Sequence, residues 1–446
     1  MENIDILNKK ACVIGMGYVG LTLAVTLSEV SFKTFGIEKR ENIVKLLESG
    51  KAHFYEPGLN EKMVQEMKRG LKFLTAISEP LADIYILAIG TPVKGEEKKP
   101  SFEDLASSMG SVARVLKNND LVILRSTVPP GTTREYVIPL LEKISNLKAG
   151  KDFFVAFAPE RTIEGKALEE LRHLPQVIGG YDGQSIILAE NFFKTMTPHT
   201  IRVSSLEAAE MVKLINNLHR DVSFAFANEM ALVCDKFNLD SYEVIDAANF
   251  GYERSAVPKP SPGVGGYCLT KDPHILNYAL NAKGMNLRLI REARSINKYM
   301  PHYVAGQVEK FLKSVGRKQS ESKVFVLGLA FKGNPPTSDV RFSPSVKLAR
   351  ILRDKPMNVF AYDPLVGKED FHEEGVNLVS LEEGFTNADA VLVSTNHSDF
   401  KNLDLEKYLS LTRKPALFFD GWKLHPVEKI LNVPHIKYSN LGFDNI

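Results

Sequence analysis

The glycine pattern GMGYVG near the start of the chain constrains the fold more than any other feature. Gly15, Gly17 and Gly20 directly follow residues 10–14, a short run typical of a buried strand, and an apolar helical stretch continues to Leu27. In this context the first glycine allows a tight turn, the second lets the backbone approach a pyrophosphate, and the third permits close packing of helix on strand. The pattern therefore predicts a doubly wound α/β domain that binds a dinucleotide.

An acidic residue at the end of the next predicted strand indicates which dinucleotide binds. Residues 34–37 are typical of a strand, and Glu38 follows them. A carboxylate at this place accepts hydrogen bonds from the adenosine ribose hydroxyls and disfavours a 2′-phosphate. Lys39 and Arg40 come next, so these residues alone leave NADP open. We expect NAD as the cofactor.

Strands and helices alternate in the first and last thirds of the chain, whereas the middle third is helical. Apolar runs recur at 84–89, 121–124 and 153–157 with helix-like segments between them, which is typical of a parallel, doubly wound sheet. The pattern becomes helical after Arg202, and a second α/β pattern begins near Lys323. The predicted layout is α/β, helical, α/β.

Composition and charge exclude several classes of protein. The chain has 56 Lys and Arg against 54 Asp and Glu, so its formal charge of +2 gives no reason to expect a nucleic-acid partner. The start, MENIDILNKK, lacks the apolar core of a signal peptide, and no run approaches the ~20 apolar residues of a membrane helix. Three dispersed cysteines match neither a disulfide framework nor a zinc-ligand pattern. We expect a cytoplasmic protein without a metal or a membrane partner.

The segment PSPGVGGYCLTKDP, residues 260–273, carries the strongest candidate nucleophile. Cys268 lies in a glycine-rich loop, whereas Cys12 falls in a predicted buried strand and Cys234 on an apolar helical face. A free cysteine is more often a small core residue, which is how we interpret Cys12 and Cys234. Beside a nicotinamide cofactor, a thiol can add to an aldehyde, and the adduct can lose hydride to give a thioester. The sequence leaves both roles open for Cys268.

A helix predicted after residue 203 carries a polar face. Ser204 and Glu207 have the spacing of a capping box at its start. Glu210, Lys213 and Asn217 are three and four residues apart, so they share one face. Such a set usually forms a solvated surface, but a Lys–Asn pair can also donate hydrogen bonds to a developing oxyanion. Spacing does not choose between these interpretations.

Two loops at predicted strand ends complete the candidates. STVPPGTT covers residues 126–133 and APER covers residues 158–161. Ligands of open parallel sheets bind outside the carboxyl ends of the strands, so Thr127 and Glu160 are favoured positions. The prolines of both loops also fit plain turns.

Taken together, the motifs resemble those of the UDP-glucose/GDP-mannose 6-dehydrogenase family. In family order they are GMGYVG, AIGTP, STVPPGTT, APER, the Glu-x-x-Lys helix, PGVGGYC with KD after it, and GLAFKGNPPTSDVR, and they cover nearly the whole chain. The resemblance implies an NAD-binding Rossmann-type domain over residues 1–203, a central all-helical dimerisation domain over 204–316, and a C-terminal Rossmann-like domain over 317–446 that binds the UDP-sugar. A homodimer is expected on the same ground.

The resemblance also implies a reaction and its residues. The family oxidises a nucleotide sugar at C6 from alcohol to carboxylate, reducing two NAD through a covalent thioester. The implied catalytic set is Cys268 as nucleophile, Lys213 and Asn217 as oxyanion donors, Asp272 to place or activate water, Glu160 to assist proton transfer, and Thr127 to hold water or the reacting hydroxyl. The implied cofactor contacts are Gly15, Gly17, Tyr18, Val19, Gly20, Glu38, Thr91, Thr127 and Lys332. The implied substrate contacts are Glu160, Arg161, Glu164, Lys213, Asn217, Arg254, Gly265, Tyr267, Phe331 and Lys332.

Two segments favour one branch of that family. APER with the EGKALEELRHLPQVIGG that follows, and TNHSDF at 395–400, look more like the UDP-N-acetylhexosamine enzymes than the UDP-glucose enzymes. We therefore expect UDP-N-acetylmannosamine or UDP-N-acetylglucosamine as substrate, with UDP-glucose as the alternative. A two-electron dehydrogenase of the hydroxyacid type and a catalytically silent nucleotide-sugar-binding protein are further alternatives. The cysteine loop counts against the first, and the complete catalytic set counts against the second.

Two residues depart from the family's pattern. Tyr267 precedes Cys268 where other members often carry His or Ser, so a bulky phenol is next to the proposed nucleophile. Trp422 stands where many members carry Arg after Asp-Gly. Lys423 is the neighbouring cation that can replace this arginine. The sequence does not decide whether the segment DGWKL contacts UDP.

Overall fold

The computed structural model describes residues 8–95, 98–254, 256–281 and 283–444, and the chain divides into two compact units. The first unit comprises Met1–Asn216 with Lys271–Asn286, and the second comprises Asn217–Thr270 with Leu287–Ile446. Each unit contains one large sheet. The domain bounds expected from sequence stay a prediction.

The first α/β region begins at the first described strand and continues to residue 202. Its strands are β1 (Lys10–Ile14), β2 (Lys33–Ile37), β3 (Lys72–Leu74), β4 (Ile84–Leu87), β5 (Val93–Lys94), β6 (Lys99–Pro100), β7 (Leu121–Leu124), β8 (Phe154–Phe157), β9 (Gln176–Gly180) and β10 (Thr200–Arg202). Its α-helices are α1 (Tyr18–Glu29), α2 (Glu41–Glu48), α3 (Leu59–Arg69), α4 (Glu103–Val115), α5 (Ile138–Ser145), α6 (Ala167–His173) and α7 (Gly183–Phe193).

Eight of these strands form one sheet in the order β10-β9-β8-β7-β4-β1-β2-β3, and β5 and β6 form a separate hairpin. Neighbours in the large sheet are parallel except β8 and β9. The strand order reverses between β1 and β4, which is where open α/β sheets bind their ligands. The glycine turn after β1 lies at this point.

Both faces of this sheet are covered, which explains why its strands read as continuous apolar runs. Ala11 and Val13 of β1 pack on the face that carries α1, whereas Cys12 and Ile14 pack on the face that carries α4. Burial raises the pKa of the Cys12 thiol to about 12. Cys12 is therefore a packed core residue, as the sequence indicated.

The middle of the chain is helical, as predicted, with one boundary shifted. Its helices are α8 (Leu206–Phe237), α9 (Ser241–Asn249), α10 (Tyr267–Asn281) and α11 (Arg288–Ser314). The Oγ atom of Ser205 accepts the Ala208 amide hydrogen at 3.1 Å, so Ser205 caps α8 and the cap predicted at Ser204 was wrong by one residue. Cys268 also differs from expectation, because it is the second residue of α10 and lies after the glycine loop, not within it.

A second α/β region closes the chain. Its strands are β11 (Lys323–Leu327), β12 (Asn358–Tyr362), β13 (Val376–Leu378), β14 (Ala390–Val393), β15 (Ala416–Asp420), β16 (Ile436–Asn440) and β17 (Phe443–Asp444). Its α-helices are α12 (Pro344–Asp354), α13 (Leu381–Phe385), α14 (Ser398–Lys401), α15 (Leu405–Ser410) and α16 (Val427–Leu431). The sheet order is β13-β12-β11-β14-β15-β16-β17, so the order reverses between β11 and β14. The predicted fold class, two Rossmann-type sheets with a helical region between them, is confirmed.

Candidate active site

The turn between β1 and α1 is shaped for a pyrophosphate. Gly15 has a φ of +94°, and a Cβ atom there would lie 2.8 Å from the carbonyl oxygen of Ala88. A Cβ atom on Gly20 would lie 1.7 Å from the carbonyl oxygen of Gly15, so only glycine allows α1 to approach the turn this closely. Gly17 caps α1, and a Cβ atom there would meet nothing within 4 Å. This open helix N-terminus suits a phosphate, and Tyr18 and Val19 form its first turn.

Glu38 follows β2 at the same edge of the sheet and is buried. It accepts hydrogen bonds from the Arg40 amide at 3.1 Å and from the Arg40 guanidinium at 2.9 and 3.0 Å. Burial raises the pKa of this carboxyl, but the Arg40 hydrogen bonds outweigh burial and hold the pKa below its ordinary value. Lys39 pairs with Asp104 at 2.5 Å. Both cations after Glu38 are thus paired with carboxylates, which fits NAD better than a 2′-phosphorylated cofactor.

Replacing Glu38 by Ala is expected to weaken NAD binding about 10-fold, because the ribose hydroxyls lose a charged acceptor. The change also releases Arg40, so the ratio of NAD to NADP affinity should fall. Titration calorimetry with both cofactors measures this, and Glu41→Ala, at an exposed residue of α2, is the matched control. Unchanged NAD affinity in the Glu38 variant would remove this residue from the ribose site.

The loops after β4 and β7 are joined at the carboxyl edge of the first sheet. The Thr91 hydroxyl donates to the carbonyl oxygen of Thr127, and the Ile89 amide donates to Ser126 Oγ at 3.0 Å. Thr91 is buried and Thr127 is half-buried. Both predicted threonines therefore lie beside the β1–β4 reversal, where a cofactor is expected.

Arg125, the residue after β7, organises a buried charge cluster that the sequence analysis missed. Its guanidinium donates to Glu160, to Gln176 Oε1 at 2.9 Å and to the carbonyl oxygen of Ala158 at 3.2 Å. Arg125 is only 3% exposed. Arg125 directly follows the apolar run in LVILRSTV. A cation at the end of a buried strand needs a partner for its charge, so the sequence alone could have indicated this cluster.

Glu160 is a fixed carboxylate. In addition to Arg125, its Oε1 atom accepts the backbone amides of Arg161 at 2.7 Å and Thr162 at 2.8 Å. Burial raises its pKa, but the charge and hydrogen bond of Arg125 outweigh burial and keep the pKa below its ordinary value, with a smaller contribution from Lys213. Glu160 therefore lies within electrostatic range of Lys213 and stays ionised, so it can accept a proton from water but holds none to donate.

The polar face of α8 is not a solvated surface. The carboxylate of Glu210 accepts the amides of Gly131 at 2.6 Å and Thr133 at 2.8 Å, and the Thr133 hydroxyl at 2.6 Å. Glu210 is 1% exposed and Asn217 is 6% exposed, while Lys213 is half-buried. Glu210 thus attaches the 126–133 loop to α8, one turn before Lys213. This contact favours a functional role for the polar face of α8.

Replacing Glu210 by Gln is expected to reduce the pH dependence of stability. Burial raises the pKa of Glu210 from 4.5 to about 7, against the opposing effect of its three donors. Because folding raises this pKa, the resulting stabilisation is complete below about pH 4.5 and is lost as the pH rises through 7, amounting to about 3 kcal/mol. Urea unfolding near pH 5 and pH 8 measures it. Glu61→Gln, at an exposed residue of α3, should keep the wild-type difference between the two pH values. If the free energy of unfolding of Glu210→Gln changes between the two pH values as much as that of the wild type does, Glu210 is not the source of this pH dependence.

Helix α10 carries two further predicted residues at different depths. Cys268 is exposed in its first turn, whereas Asp272, one turn further, is fully buried. The Lys271 ammonium lies 2.7 Å from Asp272 Oδ1, and both side chains are buried. The positive end of the helix dipole favours an anionic sulfur at the position of Cys268.

The glycine loop before Cys268 lies against the second sheet's loops. A Cβ atom on Gly265 would be 2.4 Å from the carbonyl oxygen of Phe342, and one on Gly266 would be 2.8 Å from the Phe331 ring. These approaches require glycine. They bring the start of α10 next to the AFKG segment after β11, where Lys332 lies with its ammonium 5.6 Å from the Phe331 ring centroid.

Tyr267 packs in a small aromatic and cationic cluster beside Cys268. Its ring centroid is 6.2 Å from that of Phe342, and the Arg341 guanidinium lies 5.0 Å from the Tyr267 centroid. Asp339 holds Arg341 in a bidentate pair with a shortest distance of 2.7 Å. Gly265, Tyr267, Phe331 and Lys332 are therefore brought together within the second unit.

The remaining predicted residues lie elsewhere. Glu164 is half-buried in the segment after APER. Arg254 is exposed, with its guanidinium 4.9 Å from the Tyr252 ring centroid. Lys423 pairs with Asp240, so it does not act as an unpaired substitute for the arginine that Trp422 replaces. The structure places no helix long and apolar enough to span a membrane anywhere in its described ranges.

Comparison with known proteins agrees with this geometry. Residues 9–197 match the NAD binding domain of the UDP-glucose/GDP-mannose dehydrogenase family, residues 207–299 match its central domain, and residues 325–426 match its UDP binding domain. A protein from Pyrococcus horikoshii named UDP-N-acetyl-D-mannosamine dehydrogenase is 36% identical over 92% of this chain and 95% of its own length.

Two further relatives extend the comparison. A Ralstonia solanacearum protein named NDP-N-acetyl-D-galactosaminuronic acid dehydrogenase is 32% identical over 91% of this chain and 95% of its own. The solved structure of UDP-D-ManNAc dehydrogenase from Pyrococcus horikoshii superimposes with a TM-score of 0.88 and 34% identity, covering 98% of this chain and 100% of that one.

The glycine turn, the second Rossmann-type sheet and these matches define an NAD-dependent dehydrogenase of UDP-sugars. The predicted enzyme class and cofactor are thereby confirmed. The chain belongs to the UDP-glucose/GDP-mannose dehydrogenase family, whose models match most of its length.

Proposed function

We propose that the protein oxidises C6 of a UDP-N-acetylhexosamine, UDP-N-acetylmannosamine or UDP-N-acetylglucosamine, from the alcohol to the carboxylate through a thioester on Cys268. One observation carries the proposal. Cys268 is exposed at the start of α10, directly after a loop that lies against the Phe331 segment of the UDP-binding domain. The two relatives with N-acetylated sugars in their names support an acetamido substrate.

When bound, NAD would supply the hydride acceptor for each of the two oxidations, and in the first oxidation the proton of the C6 hydroxyl passes to water. After the first oxidation, the sulfur of Cys268 forms a bond to the aldehyde carbon, and the carbonyl oxygen becomes an oxyanion. Lys213 and Asn217 donate hydrogen bonds to that oxyanion. The second oxidation leaves a thioester. Water then attacks the thioester carbon, the C–S bond breaks, and the thiolate leaves the carboxylate product.

The proton released by the attacking water needs an acceptor. Glu160 is ionised because of Arg125, so it is available as that base, and Asp272 is proposed to help place the water. Thr127, in the loop after β7, is proposed to hold water or the reacting hydroxyl, and Arg161, in the loop after β8, is proposed to contact the substrate. The charged carboxylate is thus provided by the fold before substrate arrives.

A substrate panel tests the proposal. UDP-N-acetylmannosamine, UDP-N-acetylglucosamine and UDP-glucose are each supplied with NAD, NADH is followed, and the sugar product is identified. We expect two NADH per sugar with one of the acetylhexosamines. Formation of two NADH per sugar with UDP-glucose alone would contradict the proposed acetylhexosamine substrate. One NADH per sugar, with an accumulating aldehyde, would overturn the thioester chemistry.

We also propose that the enzyme is a homodimer that associates through α8. Phe226, Val233 and Phe237 are 49%, 43% and 71% exposed, and their spacing of seven and four residues places them on one helical face. An exposed apolar face on the C-terminal part of this 32-residue helix suits packing against a second copy of itself. Arg254 is exposed, as a residue that reaches a partner's site must be.

The double variant Phe226→Asp, Phe237→Asp is expected to shift the protein from dimer to monomer, because two charges would be buried against each copy's apolar face. Light scattering behind size-exclusion chromatography measures the mass. Leu431→Asp, at an exposed apolar residue of α16, is the matched control. A wild-type protein that elutes as a monomer at micromolar concentration would contradict the dimer.

A reducing, cytoplasmic setting is proposed as well. None of Cys12, Cys234 and Cys268 takes part in a disulfide bond. An exposed thiol with a catalytic role has to stay reduced, which fits a compartment rich in thiol reductants.

A further inference from the structure

A buried polar network joins α8 to α11 within the second unit. Arg294 donates to Asp221 Oδ1 at 2.6 Å, and the Asn297 side-chain amide donates to the same oxygen at 2.9 Å. Asn228 continues the chain by donating to Asn297 Oδ1 at 2.9 Å. All four side chains are buried, and Asp221 and Asn228 are fully so.

This network ends on the loop that precedes Cys268. Asn228 Oδ1 accepts the backbone amide of Ser261 at 2.8 Å, and the Arg294 guanidinium also reaches the carbonyl oxygen of Val264 at 3.4 Å. Between these two points, the Ser261 hydroxyl donates to the carbonyl oxygen of Gly263 at 3.0 Å. The network therefore holds the loop at two backbone positions, the second of them four residues before Cys268.

The loop has little room to adjust if these contacts are lost. A Cβ atom on Gly263 would lie 2.6 Å from Pro344 and 3.2 Å from Pro301. The glycines that follow fit as closely against Phe331 and Phe342. A displacement at Ser261 or Val264 is therefore transmitted along the backbone to the start of α10.

Stability alone does not explain the network. Burying an ion pair costs desolvation that its attraction only roughly offsets, and apolar residues of similar volume are often as stabilising. Within the described residues, Asp221 Oδ2 and Arg294 Nε have no hydrogen-bond partner, so part of the polar capacity is left unsatisfied at a cost. The network carries this cost and ends on the loop before Cys268. We therefore interpret it as a network that positions that loop.

We propose that Asp221, Asn228, Arg294 and Asn297 are positioning residues, which fix the 261–264 backbone and thereby the direction in which Cys268 presents its sulfur. The proposal rests on the proposed role of Cys268 and deepens it. None of the four side chains needs to touch the substrate. They act through the loop, so they set the rate of the step at the sulfur more than the affinity for the UDP-sugar.

Two variants test this, Asn228→Ala and Arg294→Lys. The first removes the contact with Ser261, and the second keeps a cation for Asp221 while losing the fork that reaches Val264. Arg317→Lys is the matched control, because the half-buried Arg317 pairs with the buried Asp389 at 2.6 Å in the same unit and also binds backbone carbonyls. Its contacts lie at residues 389 and 413–415, outside the cysteine loop.

The readouts are kcat, KM for the UDP-sugar, and the rate at which iodoacetamide labels each cysteine, followed by peptide mass spectrometry across pH. Cys12 and Cys234 are buried and report on opening of the fold, whereas Cys268 is exposed and reports on the loop. In both variants we expect kcat to fall about 10- to 100-fold with KM within about 3-fold, because small misplacements of a reacting group act on the chemical step. The pH profile of Cys268 labelling should shift while Cys12 and Cys234 stay protected.

Three results would overturn the proposal: wild-type kcat and Cys268 labelling in both folded variants, an equal loss of kcat in Arg317→Lys, or a loss of kcat that appears only together with labelling of Cys12 and Cys234. Cys268→Ser separates this inference from the proposed function. If that variant still forms the uronic acid, the thioester chemistry itself fails. If it does not, and the network variants behave as wild type, only the positioning role fails.

Discussion

Cys268→Ser is expected to abolish formation of the uronic acid, with a loss on the order of 10³-fold or more. A serine hydroxyl is a far weaker nucleophile than a thiolate at neutral pH, and the start of a helix helps a thiolate more than it helps a neutral hydroxyl. Without the covalent adduct, the second oxidation has no thioester to form. The variant should stop at the aldehyde level.

Product analysis and cofactor binding together make this result specific. NAD affinity should be unchanged, because Gly15, Gly20 and Glu38 are untouched. Cys234→Ser is the matched control, since Cys234 is a buried thiol on α8 and should leave turnover within about 3-fold of wild type. Near-normal uronic acid from the Cys268 variant would end the thioester mechanism.

Arg125→Met is expected to lower the free energy of unfolding by about 3–5 kcal/mol at neutral pH, because it leaves Glu160 buried as an unpaired charge. Glu160 has its pKa held down by Arg125, so the pair contributes stability above the ordinary carboxyl value of 4.5 and loses it as the pH falls below that value. The difference between variant and wild type should therefore shrink in acid. Urea unfolding near pH 7.5 and pH 4 measures both quantities.

A double variant separates stability from catalysis. Adding Glu160→Gln to Arg125→Met removes the unpaired charge, so part of the lost stability should return, while turnover should stay low because the proposed base is gone. Lys39→Met is the matched control, since the exposed pair of Lys39 with Asp104 should contribute less than about 1 kcal/mol. If Arg125→Met and Lys39→Met lower the free energy of unfolding by the same amount, the buried Arg125–Glu160 pair is no more stabilising than an exposed pair, and the prediction is wrong.

Recovered turnover in the double variant would have a different meaning. It would show that Glu160 serves only to hold Arg125 and the APER loop. The base for thioester hydrolysis would then have to be sought at Asp272.

The sequence correctly predicted the elements whose structure is set by residues adjacent in the chain. The bounds of β1 and β7 were predicted without error, and the glycine turn appeared where GMGYVG placed it, because apolar runs and glycine conformations are local properties. Boundaries that depend on packing were less well predicted. Ser205, not Ser204, caps α8, and Cys268 belongs to α10 even though Pro273 lies inside that helix and removes one backbone hydrogen bond.

The chemistry of the site depended on residues far apart in sequence. Arg125, Glu160 and Gln176 meet in one buried cluster, and Asp221 meets Arg294 across 73 positions. Spacing alone could not tell whether the Glu210–Lys213–Asn217 face was solvated, because burial depends on what packs against a helix and not on the helix itself. The sequence by itself determined two α/β sheets, a dinucleotide turn and a candidate nucleophile. Only the tertiary structure decided which charges are buried and paired, since pairing and desolvation arise from contacts between distant segments.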